Sequence, residues 1–122
     1  MREVPDVSAD ADPITGTAFI TNGMLQSGGG TSLATPIWAG FTVLMDEFLH
    51  SQGAAPIGFA NPVIYKLAAN RKLSPAPFHD VTVGGNVFFE AGPGYDPITG
   101  VGSPDVAALA QYILDIEKTG SA

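Results

Sequence analysis

Apolar residues recur at spacings of three and four from Ile37 through Trp38, Phe41, Leu44, Met45 and Phe48 to Leu49. That period lays one wide apolar face along a helix beginning at Ser32 and ending near His50. Val43 lies off this face, so the pattern predicts a helix covered on more than one side. Pro36 falls in the predicted first turn, where a missing N–H costs least. A second period, Val106, Leu109, Ala110, Ile113 and Leu114, predicts a C-terminal helix over about 104–118. Ser103 is its expected cap, Pro104 its start, and Lys118 with Gly120 its end. Between the two, Asn61 as N-cap and Pro62 at the first helical position announce a shorter helix running to about Asn70.

Ahead of the first helix the period changes. Residues 5–16 are rich in Asp, Pro and Gly and read as loop. Thr17 to Thr21 is a short β-prone run, Asn22-Gly23 is a strong hairpin turn signal, and Met24 to Ser27 is the expected return strand. Residues 73–103 form a long irregular stretch with a β-prone Asn86-Val87-Phe88-Phe89 inside it. The pentapeptide Asp-Pro-Ile-Thr-Gly occurs at 12–16 and again at 96–100. No longer repeat surrounds it, so it predicts two similar turns.

At 122 residues the chain is a single domain or a piece of one. A hydrophobic fraction of 45% with only 14% charged residues calls for a packed core. The net charge of −7 makes nucleic acid and anionic membranes poor partners. The absence of cysteine removes disulfides, zinc-thiolate sites and thiol catalysis. Asp46 and Glu47 interrupt the longest apolar stretch, so no segment is expected to span a bilayer. The first six residues lack the apolar core of a signal peptide.

Candidate chemistry concentrates at Gly28-Gly29-Gly30-Thr31-Ser32. Glycines allow a tight turn and close backbone approach, and the apolar helix follows directly. A serine at such a helix start sits beside free N–H groups and the positive end of the helix dipole, where an oxyanion is favoured. Spacing alone reads Ser32 as an ordinary N-cap. Neither histidine occupies a His-Gly-Thr-His-type motif, so a Ser-His-Asp arrangement is unsupported. His50 lies at a helix C-terminus, and the expected role of His79 is orientation or packing.

The longer motif is more specific. Gly-Gly-Thr-Ser-Leu-Ala-Thr-Pro at 29–36 resembles the nucleophile motif of subtilisin-like serine peptidases, and among them the sedolisins, or serine-carboxyl peptidases. Three further stretches resemble sedolisins in the right order. They are Val4 to Pro13, Gly58 to Tyr65, and Phe78-His79-Asp80-Val81-Thr82 together with Ala91 to Pro97. The resemblance implies an α/β fold, the C-terminal portion of a subtilisin-like three-layer α/β/α domain with its parallel sheet mostly absent. Within residues 1–122 it implies a nucleophile segment at 28–50, a calcium-site region at 78–97 and the C-terminal helix.

In that frame Ser32 is the nucleophile, and its N–H contributes to the oxyanion hole. The implied calcium ligands are the side chains of Asp80 and Asp96 and the carbonyls of Val81, Gly92 and Gly94, a donor set of hard oxygens that suits Ca²⁺. Spacing alone would read both aspartates as turn caps. Asp6, Asp10 and Asp12 match a family segment that carries no metal and read as loop residues. Sedolisins pair the serine with a glutamate base, an aspartate behind it and an aspartic acid at the oxyanion. None of these maps onto this chain. Asp46 lies 14 residues beyond Ser32 on the same predicted helix, about 21 Å away and beyond hydrogen-bond reach. The resemblance therefore implies a protein or peptide substrate, the remainder of the catalytic domain as partner and an extracellular parent enzyme. The uncovered helix faces imply self-association of the isolated chain. The competing reading is a catalytically incompetent calcium-binding or interaction module.

Overall fold

Asn22 and Gly23 take φ values of 51° and 75°, the left-handed pair that a two-residue hairpin turn requires. They join β1 (Thr17–Thr21) to β2 (Met24–Gly28) in antiparallel register, with Ile20 opposite Leu25 and Thr17 opposite Gly28. The computed structural model describes residues 3–120. After the hairpin come α1 (Thr31–Ser51), α2 (Asn61–Ala69), β3 (Phe78–His79), β4 (Ser103–Pro104) and α3 (Val106–Thr119). β3 pairs antiparallel with β4, so the two strand pairs among the described residues are both antiparallel. No helix of the described residues is long and apolar enough to cross a membrane.

The core lies where α1, α2 and α3 meet. Met45 and Leu49 of α1, Ile64 and Leu67 of α2 and Leu109, Ile113 and Leu114 of α3 are buried together with Phe78 and Val101. Trp38, Phe41 and Phe48 are half-buried along the same stripe. Leu44, expected on the buried face, is 59% exposed, and Val43 beside it is 67% exposed. The described residues do not supply the second covering predicted for that side of α1.

Helix boundaries moved where a stronger cap or a tertiary pairing competed with local signals. α3 is capped by Asp105, whose carboxylate accepts from the Ala108 N–H at 2.9 Å, rather than by Ser103. Ser103 and Pro104 are drawn instead into β4, opposite His79 and Phe78. Gly120 closes α3 in the left-handed conformation, as expected. Asn61 is inside α2 with Ala60 as its cap. Asn86 to Phe89 form a turn and not a strand: the Asn86 side chain accepts from the N–H groups of Phe88 and Phe89. Both copies of Asp-Pro-Ile-Thr-Gly fold alike. Asp12 accepts from the Ile14 and Thr15 N–H groups and the Thr15 hydroxyl, and Asp96 does the same with Ile98 and Thr99.

Packing predicts an asymmetric response along α1. Leu49→Ala, at a fully buried position, is expected to cost about 2–5 kcal/mol in urea unfolding. Val43→Ala is expected to stay within about 0.5 kcal/mol of the parent.

Candidate active site and calcium loop

Gly30 has φ 111°, a conformation an L side chain rarely adopts, and it caps α1 with no side-chain hydrogen bond. Its carbonyl accepts from Leu33 and Ala34, which starts the helix. Ser32 is thus the second helical residue, not the cap that spacing alone suggested. Its side chain is exposed. Among the described residues nothing accepts from the N–H groups of Thr31 and Ser32. The turn therefore presents a hydroxyl and unpaired N–H donors together at a helix N-terminus, the arrangement that favours a developing oxyanion.

The Thr35-Pro36 pair belongs to the same construction. Because α1 begins at Thr31, Pro36 stands in its second turn and not its first, as the sequence pattern had placed it. Proline has no N–H to give the carbonyl four residues back, which is that of Ser32. One residue earlier, the Thr35 hydroxyl bonds the Thr31 carbonyl at 2.8 Å.

No carboxylate or imidazole among the described residues hydrogen-bonds Ser32. Asp46 lies further along α1, where it accepts from the Ile57 N–H at 2.8 Å and fixes the chain after the helix. Asp6 accepts from the Tyr65 hydroxyl. His50 lies in the last turn of α1, and His79 pairs through its backbone with Ser103.

The second site brings two acids to one loop. Asp80 accepts from the Gly94 N–H at 2.7 Å, and Asp96 accepts from the Gly92 N–H at 3.2 Å. Gly92 and Gly94, two of the predicted carbonyl donors, meet these acids through their N–H groups, and Val81 directly follows Asp80 in the chain. Arg71 approaches Asp80 at 3.5 Å, a neighbour that a single exposed cation in a loop did not signal. Asp96 is only 5% exposed. Burial pulls its carboxyl pKa upward, but hydrogen bonds from the Thr99, Ile98 and Gly92 N–H groups and the Thr99 hydroxyl outweigh this and leave it lowered. Among the described residues no three His, Asp or Glu side chains converge. A cation here would rest on two carboxylates and backbone oxygen, a set that fits calcium by donor type. A cavity of about 420 Å³ opens beside this loop, lined by Tyr65, Leu67, Arg71, Phe78, Asp80 and Tyr95 among others, and does not reach Ser32.

Comparison with known proteins places the chain in a family. No family model matches the chain. It is 38% identical over 119 residues to kumamolisin of Bacillus sp. (strain MN-32) and 38% identical over 121 residues to aorsin of Aspergillus oryzae. These alignments cover 93% and 94% of the chain but 20% and 17% of the relatives. The solved Pseudomonas sedolisin, a serine-carboxyl proteinase complexed with two molecules of pseudo-iodotyrostatin, superposes with a TM-score of 0.74 at 34% identity. That match covers 96% of this chain and 30% of the solved one. The chain belongs to the sedolisin family. It spans about a fifth of the length of the curated sedolisin relatives it matches. The fold is the α/β architecture of a subtilisin-like sedolisin domain, seen in part.

The lowered pKa of Asp96 carries a pH consequence. Its contribution to stability is present above the unfolded value near 3.8 and is lost as pH falls through the lower folded value. Unfolding free energy measured from pH 6 to 2 is expected to decline below about pH 4, and Asp96→Asn to flatten that decline. At neutral pH Asp96→Asn is expected to cost about 1–3 kcal/mol.

Proposed function

We propose that this chain is the nucleophile-bearing segment of a serine-type endopeptidase, with Ser32 as nucleophile. The observation that carries the reading is the Gly30 turn, which sets an exposed Ser32 hydroxyl and unpaired N–H groups at the start of α1 in a chain of the sedolisin family. In the reaction the Ser32 Oγ attacks the scissile carbonyl carbon and gives up its proton to a base. The tetrahedral oxyanion is held in part by the Ser32 N–H, the amine leaves, and water then hydrolyses the acyl-enzyme. The base, its supporting acid and the oxyanion acid come from the remainder of the catalytic domain. Carboxylates in those roles keep the enzyme working at acidic pH, where an imidazole would be protonated.

The same remainder accounts for the apolar surface. Ile20 and Leu25 form an exposed cross-strand pair at 75% each, and Val43 and Leu44 are exposed apolar residues of α1. Such surface marks a docking face, and in its absence it promotes self-association of the isolated chain. The parent enzyme is read as extracellular, acting on protein or peptide substrates.

Asp80, Asp96 and the carbonyls of Val81, Gly92 and Gly94 are proposed to hold Ca²⁺. The ion would cross-link the long loop after α2 and supply the rigidity that disulfides cannot supply in a chain without cysteine. Two carboxylates that accept from N–H groups of one glycine-rich loop support this reading. The alternative, an inert calcium-binding module, is favoured by one observation: no base reaches Ser32 from the described residues.

Peptide cleavage between about pH 3 and 5 separates the two readings. The isolated chain is expected to be silent. Mixed with the complementary part of the kumamolisin catalytic domain, it is expected to cleave, and Ser32→Ala to reduce turnover by about 10⁴-fold or more. Cleavage that survives Ser32→Ala would remove the serine from its role. Saturating Ca²⁺ is expected to raise Tm by about 5 °C or more. Loss of that shift in both Asp80→Ala and Asp96→Ala supports the site, while its persistence in both places the ion elsewhere.

A further inference from the structure

We propose that residues 6–12 form a positioning element that transmits the order of the 96–102 loop to the Ser32 turn. This builds on the assignment of Ser32 as nucleophile, and its test reads backbone and indole signals that need no peptidase activity.

The segment touches both sites by specific hydrogen bonds. At one end the Asp6 carbonyl accepts from the Val101 N–H at 3.0 Å, and the Ser8 N–H donates to the Gly102 carbonyl at 3.0 Å. The Asp6 carboxylate also accepts from Tyr65 of α2 at 2.7 Å. At the other end the Ala11 carbonyl accepts from the Gly30 N–H at 2.6 Å. Midway, the Trp38 indole N–H donates to the Ser8 carbonyl at 2.9 Å, tying the segment to α1 less than two turns after Ser32. Val7 packs against the common core.

Glycine marks both crossings. A Cβ on Gly100 would run into the backbone of Asp6 and Val7, and one on Gly29 would run into the backbone of Ala11 and Asp12. The segment therefore lies tightly between the loop closed by Asp96 and the turn that carries Ser32. Its seating fixes the partner of the Gly30 N–H, and Gly30 sets the start of α1 through its carbonyl. Disturbing one end should loosen the other, because Ser8 bonds the loop through its N–H and α1 through its carbonyl, and Ala11 three residues on holds Gly30.

Gly100→Ala is the direct lever, since it acts on Asp6 and Val7 without touching the Ser32 turn. The readouts are amide hydrogen exchange and the emission of Trp38, the only tryptophan in the chain. The expected result is faster exchange at Ser8 and Val101, together with an increase of about tenfold at Gly30, and a changed Trp38 emission. If exchange rises at Ser8 and Val101 while Gly30 and Trp38 match the parent, the coupling is refuted. Should Gly100→Ala fail to fold, Trp38→Phe tests the same link from the other side by removing the indole N–H that bonds the Ser8 carbonyl, along with part of the ring, while keeping an aromatic side chain against the core. It is then expected to speed exchange at both Gly30 and Val101, and unchanged exchange at both would overturn the proposal.

Discussion

The hydrogen bond from the Gly30 N–H to the Ala11 carbonyl joins two parts of the chain that sequence keeps apart. It forms because Gly30 adopts a positive φ that turns the backbone out of β2 and into α1. It also requires Gly29 to carry no side chain, since a Cβ there would overlap the backbone of Ala11 and Asp12. Helix start, hydroxyl presentation and the path of the N-terminal segment all depend on that contact. The three consecutive glycines thus have separate physical duties. Gly28 ends the hairpin under Phe19, Gly29 admits the crossing segment and Gly30 makes the turn.

The repeated pentapeptide shows how one local sequence serves two environments. In both copies the aspartate gathers the N–H groups of the following isoleucine and threonine and the threonine hydroxyl. The first copy is exposed, and the Ile14 N–H and Thr15 hydroxyl hold the Asp12 pKa below its ordinary value. The second is buried and receives one further donor, the Gly92 N–H. Burial of an ionised group is tolerable only when its lone pairs are satisfied, and Asp96 meets that condition with N–H and O–H donors. The pentapeptide is a self-contained turn, and its surroundings decide whether it also organises a loop.

Core and exposed apolar surface are divided by element. The helices bury one stripe each against one another, while the hairpin keeps Ile20, Met24 and Leu25 largely in solvent. A hairpin that leaves such apolar side chains exposed among the described residues is an unfinished layer. That fits a chain matching 30% of a solved sedolisin.

Periodicity and turn chemistry in the sequence determined the hairpin, the three helices, the left-handed end of α3 and the twin turns. Those features arise from contacts a few residues apart, which a local pattern encodes. The glycine turn that opens α1 was legible for the same reason, whereas the reading of Ser32 as a nucleophile rests on the resemblance of residues 29–36 to the sedolisins and not on local pattern. Tertiary structure decided what depends on distant partners. It moved the cap of α3 to Asp105 because Ser103 and Pro104 were needed opposite β3. It set Arg71 beside Asp80, joined Trp38 to Ser8 and left Val43 and Leu44 uncovered. None of these could be read locally, because each is a choice between partners that only the folded chain brings within reach.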